Sequence, residues 1–129
     1  ESGGPNPEAH LSDTGRRGEA HAAAWLERRG IRVLEKNWRH GRYEIDIVAR
    51  EGETIAFVEV KTRRSGPGGS PAAAVDHRKR ARLALAAAAW IRQHPRVCAE
   101  FRFDILEVVN AAGQPPLVEL RRDAFHADG

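Results

Sequence analysis

Two stretches decide the fold: Tyr43-Glu44-Ile45-Asp46-Ile47-Val48-Ala49-Arg50 and, after Glu51-Gly52-Glu53, Thr54-Ile55-Ala56-Phe57-Val58-Glu59-Val60-Lys61. Both runs are rich in β-branched residues, and the glycine between them marks a tight turn, so they read as an antiparallel hairpin. Side chains alternate across a strand. With the turn centred on Glu51-Gly52, Glu44 is set opposite Glu59 and Asp46 opposite Phe57. Glu44, Asp46, Glu59 and Lys61 then share one face, and Ile45, Ile47, Val58 and Val60 form an apolar surface on the other. The expectation is one charged face and one core face.

Working outward, residues 31–38 add a third strand upstream, set off by His40-Gly41. Before it, Thr14 or Asp13 caps a helix running to about Arg29, with Gly30 placed to stop it in a left-handed conformation. Its apolar stripe is Ala22, Ala23, Trp25 and Leu26, and Glu19 lies near that stripe. Downstream, residues 65–70 form a glycine and proline loop, and Ser70 or Asp76 caps a second helix reaching about His94. That helix buries Val75, Leu83, Ala86, Ala87, Trp90 and Ile91 and angles Lys79 toward the sheet. Residues 101–109 read as a fourth strand, 111–116 as a turn and 117–121 as a short edge strand.

The order is αβββαβ plus the edge strand. A strand followed by a helix and another strand favours a parallel crossover, so an α/β fold is predicted, with a mixed β-sheet flanked by helices. A chain of 129 residues suits a single domain, expected at 13–122 between a disordered lead-in at 1–12 and a tail at 123–129.

The formal charge is only +3, but the pI near 9.6 and the excess of arginine over lysine suggest a basic surface able to attract phosphates. The lone cysteine, Cys98, excludes an internal disulfide and cysteine-pair zinc motifs and fits a reducing, cytoplasmic setting. No apolar run approaches the roughly 20 residues of a membrane span. The histidines show no metal-ligand spacing, and residues 66–69 do not open a helix as a phosphate-binding loop must.

Carboxylates gathered on one sheet face repel each other, by about 4 kcal/mol for a pair at 4 Å with an effective dielectric near 20. A divalent cation relieves this, because Mg²⁺ takes one or two carboxylates and keeps waters for phosphate chemistry. Neutralisation by Lys61 and Arg42 is the alternative. Arg39, Arg42, Arg63 and Arg64 lie at strand ends or loops around the acidic patch, and with Lys79 they are the candidate nucleic-acid contacts. Arg78, Arg80 and Arg82 are read as solvating their helix, and Phe103-Asp104 as belonging to the sheet.

Asp46, then Glu59-Val60-Lys61, with Glu19 on an upstream helix, resemble the restriction-endonuclease-like PD-(D/E)XK site, particularly that of archaeal Holliday junction resolvases. Gly18-Glu19, Asn37-Trp38-Arg39, Glu44-Ile45-Asp46, Phe57-Val58-Glu59-Val60-Lys61-Thr62-Arg63 and Phe103-Asp104 resemble the YraN-like bacterial proteins. Ile45 stands where the superfamily has proline, and Tyr43 where YraN-like proteins have glycine. The resemblance implies a restriction-endonuclease-like fold in which Asp46 and Glu59 hold Mg²⁺ or Mn²⁺ with the Val60 carbonyl. It further implies that Lys61 orients the attacking water, that Glu19 supports the metal site, and that the protein pairs as a homodimer. Three readings follow: a metal-dependent endonuclease acting on DNA, including branched DNA; a nucleic-acid-binding module of the same fold with little turnover; and a protein-interaction module.

Overall fold

The computed structural model describes residues 7–64, 77–111 and 113–126. The chain runs α1 (Pro7–Arg28), β1 (Arg32–His40), β2 (Tyr43–Glu51), β3 (Thr54–Arg64), α2 (His77–Gln93), β4 (Glu100–Asn110) and β5 (Leu117–Phe125). The five strands form one sheet in sequence order. β1, β2 and β3 pair antiparallel, β3 and β4 parallel, and β4 and β5 antiparallel. The expected α/β architecture with a mixed sheet is therefore present.

Both sheet faces are covered, which corrects the expectation of one core face and one charged face. On one side Ile47, Ala49, Ala56, Val58, Leu106 and Val108 pack with Ala22, Ala23 and Leu26 of α1. On the other, Val48, Ile55, Phe57, Phe103 and Ile105 pack with Leu83, Ala86, Ala87 and Trp90 of α2. Along β3 the assignment alternates residue by residue, as strand geometry requires. Ile45 is the exception: it joins Trp38 in the α2 cluster instead of following Ile47 to the α1 side. The charged residues occupy the end of the α2 face, past the apolar part of that helix.

The hairpin turn is Gly52-Glu53, with Glu51 paired to Thr54 and Gly52 at φ 60°. It sits further along the chain than the expected Glu51-Gly52 centre, which slides the register by two positions. A shift of two preserves facing along the paired stretch, which ends at Ile47↔Val58, one residue short of Asp46 and Glu59.

Helix α1 starts at Pro7, and Asp13 and Thr14 lie inside it. Part of the expected lead-in is therefore helical; proline is tolerated in a first turn, where its missing N–H leaves no bond unmade. Residues 1–6, and the expected loop at 65–70 with the caps Ser70 and Asp76, lie outside the described residues. The C-terminus of α1 closes as expected: Gly30 takes φ 81°, its N–H reaches Glu27 O at 3.0 Å, and Ile31 N–H reaches Leu26 O at 2.9 Å. Leu26 and Ile31 are both buried in the same cluster, so the cap is sealed by apolar contact.

β5 runs past the expected boundary to Phe125 because Asp104 holds its irregular end. Between the pairs Phe103↔Phe125 and Ile105↔Arg121 the ladder bulges, and Asp123 turns left-handed at φ 54°. The Asp123 N–H donates to Asp104 Oδ1 at 2.9 Å, which satisfies a backbone group the bulge frees. Asp104 is 1% exposed and also takes Arg102 Nε at 2.9 and 3.1 Å. Arg102 and Arg122 both grip Glu51 at the end of β2, with contacts of 2.6 to 2.9 Å. Phe103-Asp104 thus belongs to the sheet, as read from the sequence. Hydrogen bonds from Arg122 and then Arg102 hold the Glu51 carboxyl down at about 2.

Gly18 marks where α1 lies against β3. A Cβ there would collide with the Thr62 hydroxyl. Gly18→Ala is expected to cost about 1–3 kcal/mol, the range for overpacking a close contact. Thr62→Ala in the same chain should restore most of that loss in a urea titration. A double variant as unstable as Gly18→Ala alone would show that the contact is not the cause.

Candidate functional site

β2 and β3 stay paired from Glu51↔Thr54 to Ile47↔Val58. Beyond that point the Asp46 carboxylate steps into the gap, and Oδ2 accepts the Val60 N–H at 2.9 Å. A side chain thus takes the place of a strand partner, and the opening exposes a cleft at the parting of the strands. The cleft has a volume of about 670 Å³ and is lined by Glu19, Arg42, Tyr43, Glu44, Asp46, Glu59, Val60, Lys79, Arg82, Leu83 and Leu85. β3 continues past it, held on its other edge by parallel pairing with β4 as far as Arg64↔Asn110.

Four carboxylates meet here, and their environments differ. Burial pushes Asp46 up to about 7, helped by the charges of Glu59 and Glu19 and opposed by the Val60 N–H and Lys79. Glu59 is buried, and its Oε2 lies 2.7 Å from Lys79 Nζ. Burial also raises Glu19, against a hydrogen bond from Asn37, with the Glu44 and Glu59 charges adding to the rise. Glu19 Oε1 is buried and, among the described residues, has no hydrogen-bond partner. An unsatisfied carboxylate oxygen beside two others that repel it is an arrangement that a cation would complete.

Lys79 feels opposing influences. Burial pulls its ammonium down, but the hydrogen bond and charge of Glu59 and the charge of Asp46 outweigh that and leave it raised. The lysine stays charged and neutralises part of the acidic cluster. Among the described residues no group of three or more His, Cys, Asp or Glu is placed to hold a metal ion. Mg²⁺ needs only one or two carboxylates and completes its shell with water, so Asp46 and Glu59 are the residues that could hold such an ion.

The candidate site residues are thus partly gathered. Glu19, Asp46, Glu59, Val60, Arg42 and Lys79 line the cleft. Lys61 follows Glu59 on the same face of β3, half-buried and outside the lining. Arg39 is exposed and stands 3.9 Å from Glu44, and Arg64 is exposed at the end of β3. Arg63 turns along the sheet and donates from Nε to Glu107 Oε2 at 2.6 Å, pairing with a carboxylate that is only 3% exposed. The reading of Arg82 changes as well, since it lines the cleft instead of only solvating α2.

Asn37 is the site residue that sequence reasoning passed over. It sits inside β1 at φ 53°, a left-handed conformation asparagine tolerates better than most residues, and it hydrogen-bonds the Glu19 carboxyl. The signal was present, because asparagine is depleted in strand interiors. Tyr43 and Leu85 on the cleft wall carried no such signal.

A mixed sheet with a helix on each face, and an acidic, arginine-rimmed cleft where its central hairpin parts, defines an α/β protein with a polar cleft among the described residues. No helix among the described residues is long and apolar enough to cross a membrane. The chain belongs to the Uncharacterised protein family UPF0102, whose pattern matches residues 18–108, from the second half of α1 through β1, β2, β3 and α2 to most of β4. The resemblance to YraN-like proteins is borne out by this membership. The chain is 40% identical over 117 residues to the UPF0102 protein of Rhodococcus opacus (strain B4), covering 91% of this chain and 99% of that relative. It is 44% identical over 115 residues to the UPF0102 protein of Anaeromyxobacter dehalogenans (strain 2CP-C), covering 89% and 85% of the two chains. With that of Geobacter metallireducens it shares 42% identity over 116 residues, covering 90% and 94%.

Proposed function

We propose that this protein is a metal-dependent nuclease of restriction-endonuclease-like fold acting on DNA phosphodiester bonds, with branched DNA as its substrate class. The observation that carries the reading is Asp46 and Glu59 brought to one cleft where the hairpin parts, beside the unpartnered Glu19 Oε1. Asp46, Glu59 and the Val60 carbonyl would hold Mg²⁺ or Mn²⁺. Such a cation supplies charge at the phosphate and lowers the pKa of a coordinated water. The chain's own residues do the rest. Arg42 and Lys79 hold phosphate oxygens at the cleft, Lys61 orients the attacking water, and Glu19 keeps the centre negative enough to retain the cation. Pairing of two copies would set two such clefts against two strands of a branched substrate.

A second reading has one observation in its favour. The Lys79–Glu59 contact neutralises a carboxylate from within the chain, as suits a nucleic-acid-binding module of the same fold with little turnover. Incubating the protein with a four-way junction and with linear duplex, in Mg²⁺ or in Mn²⁺, separates the two. Cleavage that stops on chelation and in Glu59→Ala is the expected result. Cleavage that persists in Glu59→Ala overturns the nuclease reading; salt-sensitive binding without cleavage moves the conclusion to the binding module.

A further inference from the structure

The described part of α2 opens with His77, Arg78, Lys79 and Arg80 in succession. Lys79 reaches from that run into the cleft, where Nζ rests 2.7 Å from Glu59 Oε2. The lysine side chain is 47% exposed and the glutamate side chain 10% exposed, so a half-exposed cation is paired with a buried anion. Charge explains the attraction: Glu19, Glu44, Asp46 and Glu59 all face the same cleft.

A cation held by Asp46 and Glu59 would share the Glu59 carboxylate with Lys79. An ammonium and a dication on one carboxylate repel each other at close range, so the two compete there. A lysine stem has four rotatable carbons and three donors, and once released Lys79 still reaches the cleft, where a phosphate is a better partner than water. We infer that Lys79 is a tethered counter-ion: it occupies the divalent cation's place at Glu59 in the unloaded protein and transfers to a backbone phosphate when nucleic acid and metal arrive. This inference rests on the metal-site reading above. Its consequence is that metal entry and strand binding support each other, which keeps the unloaded protein poorly charged with metal.

The test is Mn²⁺ binding, measured calorimetrically on wild type, Lys79→Met, Arg82→Met and Asp46→Ala. Arg82→Met removes one positive charge from the same cleft wall without touching the Lys79–Glu59 contact. Lys79→Met should bind Mn²⁺ about tenfold more tightly than wild type, as expected from deleting a competing charge at contact distance, and Arg82→Met should change affinity by less than about threefold. A short phosphorothioate single strand that resists cleavage should raise wild-type Mn²⁺ affinity more than it raises that of Lys79→Met. Without metal, Lys79→Met should also melt lower than wild type, and Mn²⁺ should recover that loss.

Unchanged or weaker Mn²⁺ binding in Lys79→Met, with wild type binding normally, overturns the counter-ion role and leaves the metal site standing. Equal gains in Lys79→Met and Arg82→Met overturn it as well, because diffuse charge would then suffice. If neither wild type nor Lys79→Met binds Mn²⁺, with or without the strand, the metal-site reading falls and takes this inference with it.

Discussion

Asp104→Ala is expected to destabilise the protein by about 3–5 kcal/mol, the range for removing one partner of a buried ion pair. For a domain of this size that corresponds to a fall in Tm of roughly 10–15 °C. The size follows from what Asp104 satisfies. It is 1% exposed, accepts both Arg102 contacts, and takes the Asp123 N–H at the bulge of β5. Alanine would strand a guanidinium whose side chain is only 16% exposed, and would leave a strand-end N–H without its acceptor. Glu51 still holds Arg102 at 2.6 Å, which keeps the loss toward the lower end. Asp104→Asn retains an acceptor for Asp123 and gives up only the charge, so it should lose clearly less. Urea midpoints at constant slope measure both. A loss below about 1 kcal/mol in Asp104→Ala would mean that Glu51 alone organises the two arginines.

Most of the architecture was legible because it depends on periodicity. The apolar face at Ile47 and Val58 and the helical stripe Leu83, Ala86, Ala87, Trp90 recur in the structure as surfaces that pack, while Phe57, expected on the charged face, and Ile45 pack under α2. The errors came from features periodicity does not carry. Glu51-Gly52 and Gly52-Glu53 are both acceptable two-residue turns by composition, so the register was read two positions out. The helix begins at Pro7, upstream of Asp13 and Thr14, because a residue suited to capping does not by itself stop a helix from extending through it. The extension of β5 depends on the Asp123 N–H meeting Asp104 and on Arg122 meeting Glu51, partners distant in sequence.

The site divides along the same line. Parity predicts that Asp46 and Glu59 come together, and both line one cleft, although pairing ends at Ile47↔Val58 and Ile45 leaves the alternation. That Lys79 turns toward the sheet followed from its place beside the buried stripe. Its contact with Glu59 did not, because the β3–α2 connection sets how far along the sheet the helix begins. Arg63 pairs with Glu107 across neighbouring parallel strands, a meeting that depends on β3–β4 register and has no trace in spacing. Asn37 depends on a backbone angle, which its residue type only hints at.

On the nuclease reading proposed above, Asp46→Asn is expected to lower cleavage by at least about 10²-fold; independently of that reading, it should make the metal-free protein more stable at neutral pH. The amide has the shape of the carboxyl and can still accept the Val60 N–H through Oδ1, so the β2–β3 junction is kept. What it removes is a charge that burial and the neighbouring Glu59 and Glu19 make unfavourable, pushing the native pKa to about 7 from an ordinary 3.8. Because that folded pKa is raised, the native protein holds a proton the unfolded chain releases, and stability falls as pH rises from about 4 to about 7. Glu51 acts in the opposite sense. Its pKa is depressed to about 2, so its contribution is present above 4.5 and is lost as pH falls through 2. Together the two groups place maximum metal-free stability near pH 4 to 5. Asp46→Asn should erase the decline above that maximum and gain about 1–3 kcal/mol at pH 8, with no gain at pH 4, where the aspartate is already neutral. Mn²⁺ should raise the wild-type midpoint at pH 8 and leave that of Asp46→Asn nearly unmoved, because a cation bound only to the folded state stabilises it by mass action. A variant no more stable than wild type at pH 8 would show that Lys79 and the Val60 N–H already compensate the charge. The instability at the cleft would then be too small to drive metal uptake.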